Sequence, residues 1–152
     1  MPDQTMEFKG RVIMPGCLSG EAVVSRGGFN ILASFQKDAM MRKKIMKCSD
    51  QNNTDLFGRT LTGKILCLPQ TIGSTTGGMV LQSVASRGCA PSAMLFSKAI
   101  DSLAAAGIVL ADIWNGNRIV AIDNLGTEFL SCVQQGQKVD IFDDGRVIVH
   151  QS

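Results

Sequence analysis

The segment of this sequence best suited to chemistry is Gly73-Ser74-Thr75-Thr76-Gly77-Gly78, three hydroxyls in a row between glycines. A turn of this kind that opens a helix presents backbone N–H groups and the positive end of the helix dipole to an anion or a developing oxyanion. The competing reading is that Ser74, Thr75 or Thr76 only caps the helix, as Ser and Thr commonly do. One cap needs one hydroxyl and no glycine on both sides, so the surplus tilts the segment toward a site. A second segment, Gly58-Arg59-Thr60-Leu61-Thr62-Gly63-Lys64-Ile65, matches G-x-x-x-x-G-K but lacks the hydroxyl that must follow the lysine to hold Mg²⁺. It also leads into a strand rather than a helix, so it reads as a turn feeding a strand.

Other chemistries are limited by composition. The single histidine, His150, sits near the C-terminus. That rules out a multi-imidazole zinc centre within the chain and disfavours a Ser-His-Asp triad. The five cysteines, Cys17, Cys48, Cys67, Cys89 and Cys132, are odd in number, widely spaced and form no Cys-x-x-Cys pair. They read as reduced thiols, with Cys67 a small core residue. The net charge of +2 gives no general pull toward nucleic acid or a membrane. A local basic cluster at Arg42, Lys43, Lys44 and Lys47 is open to two readings, a solvated face or a docking site for an anionic partner. No apolar run reaches the roughly 18 residues of a membrane span. Met1–Met14 has no apolar signal core, so the expected compartment is the cytoplasm. At 152 residues and 45% hydrophobic composition, the chain fits one domain over 1–152 with its core at about 10–149.

Stepping outward from the glycine turn, Lys64–Leu68 reads as a strand buried on both faces. Val80, Leu81, Val84 and Ala85 then fall at helical spacing before the Arg87-Gly88 stop. Phe8–Met14 and Glu21–Ser25 read as strands around a Pro15–Gly20 turn. Phe29–Phe35 is mostly apolar, and Gln36–Asp55 is polar and expected to be mobile or partner-facing. Ala93–Phe96 predicts a strand, Ile100–Ala106 a helix ending at Gly107, Ile108–Ala111 a further strand, and Arg118–Asp123 another. Lys138–Phe142, Asp143-Asp144-Gly145 and Arg146–His150 predict a hairpin. The sum is an α/β domain, a mixed sheet or barrel with two or three helices.

Several segments together resemble the aconitase X small-subunit family. They are Leu61–Pro69, Gly73-Ser74-Thr75-Thr76-Gly77, Gly88–Ala93, Gly16-x-x-x-Gly20-Glu21-Ala22, Ala33-Ser34-Phe35 and Ala105–Ala111. The resemblance implies a single aconitase-like swivel domain with β/β/α layering, and a dehydratase subunit inactive without its large subunit. Ser74 would be the base that removes a carbon-bound proton. Gly73, Thr75, Thr76, Gly77, Ser34 and Phe35 would contact the substrate, with a core role for Phe35 equally open. An iron–sulfur cluster or iron would be bound by the large subunit, and no metal by this chain. The expected substrate is a small hydroxy acid. The choice leans to cis-3-hydroxy-L-proline, giving Δ1-pyrroline-2-carboxylate, because many cysteines and methionines suit a mesophilic cytosol. (R)-5-phosphomevalonate is the alternative. Outside this class, the chain would be a non-catalytic anion-binding module or a structural subunit in which Ser74 only caps a helix.

Overall fold

A computed structural model describes residues 4–73 and 76–151. In chain order these form β1 (Thr5–Lys9), β2 (Arg11–Met14), β3 (Leu18–Val24), β4 (Phe29–Asn30), α1 (Ile31–Met40), β5 (Ile65–Leu68), β6 (Thr71–Ile72) and α2 (Gly77–Ser86). There follow β7 (Ala93–Phe96), α3 (Ser102–Asn115), β8 (Val120–Asp123), α4 (Thr127–Cys132), β9 (Lys138–Ile141) and β10 (Arg146–His150). The main sheet runs β1-β10-β9-β3-β5-β7-β8-β2, and β4 pairs with β6 in a small parallel ladder of its own.

The expected Phe8–Met14 strand is two strands at opposite edges of this sheet, joined by Gly10 alone. The sheet therefore curls until its edges nearly meet, giving the barrel-like form of the mixed α/β reading. Gly10 donates to the Gly145 carbonyl at 3.1 Å, continuing the β1–β10 ladder. A Cβ at Gly10 would press on the Asp123 carbonyl and lie 2.7 Å from Ile122 Cγ2, so only glycine passes here.

β3, β5, β7 and β8 run parallel and form the middle of the sheet. Their side chains alternate between two cores. Leu66, Leu68, Met94 and Phe96 face α1, α2 and α3, packing with Phe35, Leu81, Val84 and Ile108. Ile65, Cys67, Ala93 and Leu95 face inward toward Phe129 of α4 and toward Val139, Ile141, Val147 and Val149 of the β9–β10 hairpin. Burial on both faces explains the unbroken apolar run at Ile65–Leu68. The predicted hairpin is present, with Gly145 at φ +95° in its turn.

Among the described residues there are four helices where two or three were expected. Ile108–Ala111, expected as a strand, lies inside α3. Gly107 looked like a stop but is a packing glycine. A Cβ there would stand 2.7 Å from the Gly78 carbonyl oxygen, and one at Gly78 would stand 2.7 Å from that of Leu103. The two glycines let α2 and α3 touch backbone to backbone, while the true stop is Gly116 at φ +65°. The supposed mobile stretch from Gln36 to Asp55 begins inside α1 and is then tied down. Met46, Cys48 and Asn53 are buried. The Lys47 N–H donates to Asp38 at 2.8 Å, and Asn53 Nδ2 donates to Ser25 Oγ at 3.0 Å. As expected, Gly58–Lys64 feeds β5.

Candidate active site

Three connectors leave the C-terminal ends of parallel strands and lead to the three longer helices, the usual place for a ligand on an open α/β edge. Each of two helices opens on a side-chain cap. Asn30 Oδ1 accepts from the Ala33 N–H at 3.0 Å at the start of α1. Asp101 Oδ2 accepts from the Ala104 N–H at 3.0 Å at the start of α3. The caps also tie the connectors together. Asp101 Oδ1 accepts from both the Thr71 N–H, at 3.2 Å, and the Thr71 hydroxyl, locking β6 to α3. Asn30 lies against Gly73, where a Cβ would stand 2.5 Å from Asn30 Nδ2, and Gly73 takes φ +101°. Space and backbone both require glycine.

The result is a cavity of about 150 Å³ on which three helix starts converge. Ile31, Gly77 and Ser102, the first residues of α1, α2 and α3, all line it with Thr71, Gly73 and Asp101. The positive ends of three dipoles favour negative charge there, whereas among the described residues no lysine or arginine lines the wall.

Of the residues expected from the sequence, Gly73 and Gly77 meet in this cavity. Ser74 and Thr75 lie outside the described residues. Thr76 stands at the cap position of α2, but its side chain forms no capping hydrogen bond. It lines a neighbouring apolar groove between α1 and α2, with Leu32, Met40 and Met79. Ser34 and Phe35 are not at the cleft surface, since both are fully buried. The Cys48 thiol donates to Ser34 Oγ at 3.6 Å, and Phe35 packs edge-on against Phe29 at 5.9 Å between ring centroids. Their side chains point into the core under α1, which resolves the open choice for Phe35 toward packing. Sequence reasoning missed Asn30, Thr71 and Asp101. A short polar residue just ahead of an apolar helical run marks an N-cap, so Asp101 was recoverable. The pairing of Thr71 with it was not.

The match to a family model described as the aconitase X swivel domain extends over residues 7–150. The chain belongs to that family. A phosphomevalonate dehydratase small subunit from Methanocaldococcus jannaschii is 31% identical over 132 residues, covering 80% of this chain and 95% of the relative. One from Pyrococcus furiosus is 32% identical over 108 residues, 71% of this chain and 75% of the relative. A crystal structure of aconitase X from Thermococcus kodakaraensis, in its holo form, superposes with a TM-score of 0.79 at 27% identity, covering 96% of this chain and 99% of that one. The expected swivel fold and the expected class, a hydro-lyase small subunit of the aconitase X family, therefore both hold.

Within this aconitase X domain, no group of three or more His, Cys, Asp or Glu side chains among the described residues is placed to hold a metal ion. The thiols do not fit such a role. Burial pushes Cys67 far up, with only a partial offset from the Arg26 charge, and burial also raises Cys48. His150 is engaged elsewhere, its Nε2 2.6 Å from Asp140 Oδ2. Ser19 donates to the other oxygen of Asp140 at 2.5 Å, so the carboxylate, not the imidazole, stands in the middle. That order gives no serine–histidine nucleophile pair. Among the described residues no helix is long and apolar enough to cross a membrane.

Proposed function

We propose that this chain supplies the proton-abstracting half of an aconitase X dehydratase, completed by a large subunit. Ser74 takes the proton from the carbon beside the carboxylate of a hydroxy acid. The C–H electron pair becomes the new C=C bond, and the C–O bond on the next carbon breaks to release hydroxide. A serine hydroxyl is a weak base, so it must be held wholly or partly as alkoxide by nearby positive charge and N–H donors. Thr75, Thr76 and the Gly77 amide serve as donors to substrate oxygens. The observation that carries this reading is the convergence of three helix starts on one cavity with Gly73, the described residue just before the Ser74-Thr75 pair. The iron–sulfur or iron centre expected of the family would act as Lewis acid for the departing hydroxyl and belongs to the large subunit, because the residues of this chain do not fit it.

For the substrate we take (R)-5-phosphomevalonate, in line with the relatives named above. The cis-3-hydroxy-L-proline expected from composition stands as the second reading. Purifying the chain with its large subunit and assaying loss of water from both acids tests class and substrate together. Turnover of phosphomevalonate is the expected result, and turnover of hydroxyproline alone would replace it with the second reading. A Ser74→Ala complex that keeps the full rate would overturn the base assignment.

A further inference from the structure

A second cavity opens at the same end of the parallel strands, on the α4 side of the connectors. Its volume is about 400 Å³, and its lining includes Arg26, Pro69, Ser97, Lys98, Thr127 and Ser131, with no acidic side chain. Arg26 follows β3, Pro69 follows β5, and Ser97-Lys98 follows β7, so three successive strand ends build the rim. Arg26 is held at the mouth by its Nη2, which donates to the Val133 carbonyl at 2.8 Å. Its main-chain N–H donates to Asp55 Oδ2 at 2.8 Å. Among the described residues, neither Arg26 nor Lys98 forms an ion pair.

Ser97 supplies the second, independent observation. It is only 5% exposed, and its hydroxyl is the one buried side-chain polar atom without a hydrogen-bond partner among the described residues. Its backbone is fully engaged, donating to Leu68 and accepting from Gly126, both at 2.9 Å. A buried hydroxyl with no partner is a cost to folding, and Ser97 lines the same cavity as Arg26 and Lys98, where a ligand oxygen could supply one.

We propose that the Arg26–Ser97–Lys98 cavity binds a phosphate-type oxyanion, and that in the working enzyme this is the phosphate at the far end of the substrate. The inference rests on the dehydratase reading given above. The two cavities are lined by different residues of the same connectors: Pro69 lines one and Gly73 the other, and Ser97 lines one and Asp101 the other. The members of each pair are four positions apart, so their Cα atoms lie within about 14 Å of each other. The cavity at Gly73 contains the Asp101 carboxylate and no cation. A dianionic group is favoured at the other, where an arginine fork and an ammonium meet it.

The test uses the complex with the large subunit, in wild-type form and as Arg26→Met, Lys98→Met, the double variant, and Ser97→Ala. Each cation removed is expected to raise KM for phosphomevalonate, and the inhibition constant of inorganic phosphate, by about tenfold or more. Unphosphorylated mevalonate, if turned over, should show no such change. Ser97→Ala removes an unpartnered hydroxyl, so it should leave Tm unchanged or raised while weakening phosphate binding. Unchanged KM and unchanged phosphate inhibition in the double variant would overturn the proposal. If the complex dehydrates only hydroxyproline, the substrate reading fails, and calorimetric titration with inorganic phosphate decides the cavity separately. Binding by wild type that is lost in the double variant would then support the site for a free anion, and no difference between the two would overturn it.

Discussion

The starts of α2 and α3 lie side by side on one cavity and are built in opposite ways. At α3, Asp101 caps the helix and holds both polar groups of Thr71, so its charge is committed to the fold. At α2, Thr76 makes no side-chain cap, and glycines occupy the first two helical positions. The start of α3 is fastened by a side chain, and the start of α2 is built from glycine.

The largest expected effect lies at α2. In the complex, Ser74→Ala should lower kcat by about 10³-fold, the usual contribution of a positioned base, with little change in Tm. Steady-state kinetics alongside thermal melting would check this, and a large Tm loss with unchanged kcat would erase the contrast. Next comes the contact that holds the two starts in register. Gly78→Ala would put a Cβ 2.7 Å from the Leu103 carbonyl oxygen, and Gly107→Ala would do the same to that of Gly78. Either should cost about 1–3 kcal/mol by denaturant unfolding, with activity falling as α2 shifts.

At α3 the effect should be smaller and opposite in kind. Asp101→Ala should lose about 1 kcal/mol of stability, and Asp101→Asn should recover most of it, since asparagine caps equally well. If Asp101→Ala instead abolished turnover at full stability, Asp101 would belong to the chemistry rather than to the fastening. The smallest effect is a control far from both helix starts. Hydrogen bonds from Ser19 and then His150 hold Asp140 below the usual carboxylate range. A depressed pKa contributes stability that is present above the unfolded value, about 3.9, and is lost as pH falls through the folded value. Melting curves from neutral to acid pH should therefore show less acid sensitivity in Asp140→Asn than in wild type, with turnover at neutral pH unaltered.

Much of the fold was legible because periodicity survives without knowledge of neighbours. The β5 run, the α2 spacing and the Asp143-Asp144-Gly145 hairpin are local patterns, and each stands where it was expected. What failed was the reading of glycines. Gly107 resembled a helix stop and Gly10 an ordinary interior residue, because one amino acid serves both for turns and for close approach between distant backbones. Only the position of Gly78 against α3, and of Asp123 beside Gly10, distinguishes the two uses. The same limit applied at the site. Gly73 and Gly77 were marked by composition, but Ser34 and Phe35 came from a motif, and a motif does not say which way a side chain points.

The sequence alone determined the chemistry the chain lacks. With one histidine and scattered thiols, it left hydroxyls, carboxylates, backbone amides, thiols or a partner's groups for any chemistry. It also marked a single hydroxyl-rich turn. Tertiary structure decided that three helix starts share one cavity and that Arg26, Ser97 and Lys98 form another. Those groupings join residues up to 72 positions apart along the chain (Arg26 to Lys98, 98 − 26). Proximity across strand ends depends on sheet order, which local pattern does not encode.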